Sequence, residues 1–405
     1  MSGKERFGVS KTYVLHEVRY FYLGLAALGQ QGGAVAGDCV DDVLRNELNK
    51  FNAVRSRRYN LRQREFSFKE TPRLILYELR KCGLVVGSGR GSDKQWALTE
   101  EGYRLYAMLK NPANRLLLRE EFAVLMLNTF PVFRALLIAL GNSPYKELVG
   151  IPLLAPYEFD HFPAEAYNAA AEAATTQAFG LMRIRFRCGE DMQTALRAIL
   201  QTVLAKSIAE RRAMGTIIKN TVPQFFIRHF FGDLFTSKAY YDLARTRSSF
   251  LGLINYFREG RPGAYTEIVY PVARLADEPV DEPGWRCRPL KSGYLLLRAP
   301  DWQEFTPTFL AALQRAYSMT PRSIGYVEVA DLRDRVCSDL RLPDHIFDDL
   351  LQKAVQASQT GDLPIRVYLD SSLGDVMPIA KRAPLELKDK AFNLVRVQTT
   401  EGGNN

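Results

Sequence analysis

The sequence predicts a mainly α (α+β) protein in which two units of three helices and a β-hairpin flank a helical middle region with a few strands. Three observations carry this. Apolar residues recur at helical spacing over most of the chain. Short alternating runs bracket loops at 84–98 and 364–398. The order helix, helix, helix, hairpin occurs near each end. With 405 residues, 47% of them apolar, the chain has material for two or three domains.

The elements follow in order. Residues 11–31 form an amphipathic helix on Val14, Val18, Tyr20, Phe21, Leu23 and Leu25, stopped by the QQGG at 30–33. A second helix runs from Asp38 to Phe51 on Val40, Val43, Leu44 and Leu48. The third, 71–82, takes Thr71 as its cap and Pro72 at the first helical position, and ends at Gly83. A hairpin follows: LVV at 84–86, the loop GSGRGSDK at 87–94 and QWAL at 95–98. Thr99 then caps a helix with Glu100 and Glu101 in its first turn.

The most apolar stretch, Phe122 to Gly141, carries Pro131 and Arg134 in its middle and is expected to be a buried helix pair, not a membrane span. Helical patterns cover 112–140, 163–180, 190–220, 222–233 and 236–259. Between 264 and 300, YTEIVYPVARL and SGYLLLRAP alternate as strands around the loop ADEPVDEPGW. Nearer the C-terminus, Thr306–Pro307 starts a helix through Tyr317, residues 324–340 are a short strand running into a helix, and Pro343–Asp344 starts another. Strands at 364–370 and 391–398 enclose a basic loop with Lys381, Arg382, Lys388 and Lys390.

The string LRKCGLV, a Gly/Arg loop and WALTEEGYRLY at 79–106 resembles the winged-helix variant of the helix-turn-helix in prokaryotic DNA-binding proteins. In that family a helix ending in a Gly–hydrophobic step leads into the wing, and a Leu-Thr-x-x-Gly step starts the closing helix. The likeness extends over about 36–110, and a second, similar plan covers 303–398. It implies a DNA-binding module at 1–111, a mainly helical middle domain at 112–302, a second winged-helix-like module at 303–398 and a disordered tail at 399–405.

Charge agrees with that reading. From Lys50 to Lys94 twelve basic residues face four acidic ones, a net +8 of the chain's formal +9. Such a patch suits a polyanion, because each neutralised phosphate releases counterions. Arg55, Arg57, Arg58, Arg62 and Arg64 are expected on phosphates, and Lys69 also among the DNA-binding residues. Arg73, Arg80 and Lys81 are expected on the groove-entering helix, and Arg90 and Lys94 in the wing. Tyr59, Phe66 and Phe68 are either core or platforms for exposed bases. In the second unit the third helix carries Asp344, Asp348 and Asp349 against Lys353, which repels phosphates and suits a protein partner.

No catalytic signature stands out. The five cysteines form no CxxC pair and fit free thiols in a reducing cytosol. No HExxH, GxSxG or phosphate-loop GK[ST] occurs. Asp370 followed by Glu386-Leu387-Lys388 is the bare outline of a metal-dependent nuclease. Met1–Ser10 lacks the apolar core of a secretory signal. The expectation is a cytoplasmic, non-catalytic subunit, without metal, membrane or small-molecule cofactor. It would bind double-stranded DNA through residues 1–111 and protein partners through the middle and C-terminal regions, as in anti-phage defence or mobile-element machines. The alternatives are a metal-dependent nuclease, a protein-interaction subunit without nucleic acid, and a transcriptional regulator.

Overall fold

The computed structural model describes residues 18–37, 39–47, 71–89, 94–142, 149–154, 223–228, 230–261, 264–320, 325–371, 385–387 and 390–399. The fold is mixed, mainly α with several small antiparallel sheets.

The first unit contains α1 (Arg19–Gln31), β1 (Val35–Ala36), α2 (residues 39–47), α3 (Thr71–Lys81), β2 (Val85–Ser88) and β3 (Gln95–Leu98), closed by α4 (Glu100–Lys110). The sheet order is β1-β3-β2. Gly32 ends α1 in the left-handed conformation, φ 70°. Gly83 does the same for α3: its N–H bonds to the Arg80 carbonyl and that of Leu84 to Leu79, the paired bonds that satisfy the last carbonyls of a helix.

The Leu-Thr-x-x-Gly step has a direct explanation. Thr99 accepts from the Gly102 N–H at 3.0 Å and donates to the Gly83 carbonyl at 2.8 Å. Its own N–H bonds to Leu84. The Leu84 carbonyl lies so close to Gly102 that a Cβ there would collide with it. One threonine and one glycine thus weld the start of the wing to the start of α4.

The middle region begins with α5 (Arg115–Thr129) and α6 (Pro131–Gly141), bent by 96° at Phe130. No single helix among the described residues is long and apolar enough to cross a membrane. Phe122, Met126, Phe133 and Leu136 of this pair lie in the core, while Leu116, Leu117 and Ile138 are exposed. The helical patterns at 163–180 and 190–220 fall outside the described residues. A strand not expected from the sequence, β4 (Val149–Leu154), joins β5 (Ile254–Arg261) and β6 (Ala264–Pro271) in the order β4-β6-β5. A second sheet, β7-β9-β8, comprises β7 (Arg274–Ala276), β8 (Trp285–Pro289) and β9 (Tyr294–Arg298).

The helix expected over 236–259 is shorter in the structure. It is α7, Lys238–Phe250, and the chain then turns into β5. Gly252 is the reason: at φ 74° it places its N–H on Ser249 and the next on Ser248, closing the helix. The apolar run behind it, Leu253 to Phe257, is buried all along and so shows no alternation to betray a strand.

The second unit repeats the plan of the first: α8 (Trp302–Met319), β10 (Val327–Glu328), α9 (Val329–Leu340), α10 (Asp344–Thr360), β11 (Ile365–Asp370) and β14 (Leu394–Thr399). The sheet order is β10-β14-β11, again first, third, second. A hairpin of β12 (Leu385–Leu387) and β13 (Lys390–Phe392) is inserted between its last two strands. Helix α8 starts earlier than Thr306, because Asp301 caps it by accepting from the N–H groups of Gln303 and Glu304, and Pro307 is carried inside.

One apolar cluster runs from Val18 to Leu297, across α4 and α5 without a break. A second is confined to Phe309–Val397. Between them, Asn255 on β5 donates to the Leu342 carbonyl at 3.0 Å and to Asp344 at 2.8 Å.

Candidate nucleic-acid interface

Helix α3 has two faces of opposite character. Ile75, Leu76, Glu78 and Leu79 are buried. Tyr77, Arg80 and Lys81 are exposed, three and four residues apart, so they share one side. Arg73 occupies the helical position one turn before Tyr77, but its side chain lies outside the described residues. Tyr77 is half exposed, with the Lys81 ammonium 4.9 Å from its ring centre. Arg80 and Lys81 stand in the last turn, where the helix dipole favours cations.

Among the described residues of the hairpin beside α3, Lys94 is the one charged side chain. Val86 is exposed. Lys94 packs its ammonium 4.3 Å over Trp96, and its carbonyl accepts from the Gly37 N–H at 2.7 Å. Trp96 in turn lies against Gly87, where an added Cβ would stand 3.0 Å from the indole. Lys94 is therefore held against the sheet at the base of the wing.

Of the expected contact residues, the structure brings Arg80 and Lys81 together on one helix end and places Lys94 on the hairpin. Arg55, Arg57, Arg58, Arg62, Arg64, Lys69 and Arg90 lie outside the described residues, as do Tyr59, Phe66 and Phe68. Tyr77 faces outward although apolar residues surround it in the sequence of α3. Glu78, counted against the surface charge, is buried and ion-paired to Arg247 on α7, which also lies 5.0 Å from the Phe21 ring centre. A charge count along the sequence has no access to this, since the two residues are 169 positions apart.

The acidic helix of the second unit is occupied within the chain. Asp344 takes the Asn255 amide, Asp348 pairs with Arg333 at 2.8 Å, and Asp349 pairs with Lys353 at 2.8 Å. Burial raises the Asp348 carboxyl above its ordinary value, opposed by the Arg333 charge. The two carboxylates of the nuclease outline sit in different sheets, Asp370 on β11 and exposed Glu386 on β12. No group of three or more His, Cys, Asp or Glu is arranged to hold a metal ion among the described residues.

Compared with protein-family models, curated proteins and solved structures, the chain matches none.

Proposed function

We propose that this chain is a non-catalytic, cytoplasmic subunit that binds duplex DNA through α3 and its neighbouring hairpin and serves as a scaffold in a larger protein assembly, of the kind found in anti-phage defence or mobile-element machines. The carrying observation is the division of α3. Its inner face is locked by Ile75, Leu76, Leu79 and the Glu78–Arg247 pair, while Tyr77, Arg80 and Lys81 project outward from a rigid base. The basic stretch immediately before it, 50–70, supplies further charge for phosphates.

In this reading Arg80 and Lys81 contact phosphates, while Arg73 and Tyr77 stand where base edges would be met. Protein partners would use outward surfaces other than the first turns of α10, whose acids have partners within the chain. The exposed Met319 and Tyr368 belong to such surfaces.

The test is a titration of the full chain with duplex DNA, single-stranded DNA and RNA at several salt concentrations. Duplex should bind tightest, with log affinity falling linearly against log salt. Tighter binding of single strands would shift the role of Tyr77 to stacking and overturn the duplex reading. Mg²⁺-dependent cleavage lost in Glu386→Ala would replace the proposal with the nuclease.

A further inference from the structure

Where the middle region meets the second unit, a cavity of about 180 Å³ is lined by two arginines that make no ion pair among the described residues, together with His345. Arg119 enters from α5, Arg298 from the end of β9 and His345 from the first turn of α10. The acids sharing the wall are engaged. Glu120 is held by Arg286 at 2.7 Å and Arg288 at 3.2 Å, and Asp349 by Lys353 at 2.8 Å.

Arg119 and Arg298 make no ion pair among the described residues, and feel only the more distant carboxylates of Asp348 and Glu282 respectively. Arg298 reaches the Leu340 carbonyl at 3.4 Å and lies over Trp285 and Phe305, and its Nε is buried without a hydrogen bond. Arg119 lies 4.7 Å from the Phe250 ring centre, which Arg19 also approaches at 5.6 Å. Burial, with Arg115 and Arg19 nearby, brings Arg119 down to about 10. Burial and the Arg119 charge hold His345 well below its ordinary value.

A charge withdrawn from water without a counter-ion costs free energy, and an anion with several acceptor oxygens removes that cost through charge-assisted hydrogen bonds. The cavity also opens on the first turn of α10, through Pro343, His345 and Ile346, where the helix dipole adds positive potential. Its volume excludes a duplex.

We propose that this cavity binds a small phosphate-bearing molecule between Arg119, Arg298 and His345, and that the bound anion clamps the second unit onto the middle region. The proposal is independent of the DNA reading, since it rests on different residues.

The full-length protein should be followed by thermal unfolding and calorimetry with inorganic phosphate, pyrophosphate and AMP, at ionic strength matched with sodium chloride. At least one should raise the unfolding midpoint saturably, as a ligand of the native state does. Arg119→Met and Arg298→Gln should each weaken that ligand tenfold or more. In phosphate-free buffer both variants should be as stable as the parent, because each removes an uncompensated charge. Should Arg119→Met fail to fold, Arg298→Lys carries the test: it keeps the charge but not the planar fork, and should still weaken binding. The proposal is overturned if none of the three ligands gives a saturable response, or if the response survives both cavity variants. It is equally overturned if the response is lost in Arg80→Ala/Lys81→Ala, which would locate the phosphate on α3.

Discussion

Arg247 Nη2 on α7 lies 2.8 Å from Glu78 Oε2 on α3, and neither side chain reaches solvent. This pair ties the helix proposed to enter DNA to the middle of the chain. Removing one partner of a buried ion pair leaves the other charge uncompensated, at a cost of about 3–5 kcal/mol, whereas replacing both with apolar groups is often close to neutral. Glu78→Ala and Arg247→Met should therefore each lower stability by about 3 kcal/mol or more in urea unfolding, and Glu78→Leu/Arg247→Met should recover most of it. Additive losses in the double variant would refute the coupling.

The same pair revises where DNA affinity is to be sought. A fragment of residues 1–111 keeps the basic stretch but loses Arg247 and the remainder of an apolar cluster that continues to Leu297. Such a fragment should be poorly folded by circular dichroism and weak on DNA, while a fragment of 1–302 should bind like the full chain. A folded, tightly binding 1–111 fragment would show that α3 does not need its partner.

Gly102 offers a local test of the weld between wing and helix. Any side chain there meets the Leu84 carbonyl, which is fixed by its bond from the Thr99 N–H. Overpacking of this kind costs about 1–3 kcal/mol. Gly102→Ala should lower the unfolding midpoint by several degrees despite the better helix propensity of alanine.

On the outward face of α3, Arg80→Ala/Lys81→Ala should weaken duplex binding for all sequences and reduce the magnitude of the salt slope by about 2, one unit for each phosphate lost. Tyr77→Ala should leave that slope unchanged while lowering affinity. An unchanged slope in the double variant would mean that the two cations are merely solvated.

His345 sets an acid-side dependence of stability. Its folded value lies well below 6.5, because of burial and the Arg119 guanidinium, so the unfolded chain binds the proton more readily. Its contribution is fully present above pH 6.5 and is lost as the pH falls below that value. Asp349, Glu120, Arg298 and Lys353 share the cavity with it. Stability measured from pH 7 to 5 should fall less steeply in His345→Gln than in the parent.

Much of the fold was legible in the sequence because the responsible interactions are local. Gly83 and Thr99 mark helix boundaries through the bonds from the Gly83 N–H to Arg80 and from the Gly102 N–H to Thr99, each spanning three residues, and such local signals outline the helix–helix–helix–hairpin order. The strand at 254–261 was missed because the burial of Ile254 to Phe257 removes alternation, and the closing Gly252 is one residue within an otherwise helical pattern.

The sequence by itself determined the element plan, the location of excess charge and the absence of familiar catalytic motifs. Only the tertiary structure decided which charges face out. Glu78 is taken up by Arg247, and Asp348 by Arg333, while Arg119 and Arg298 are left facing a cavity. The reason is physical: the fate of a charge depends on desolvation and on partners brought close by packing, and those partners lie far away along the chain.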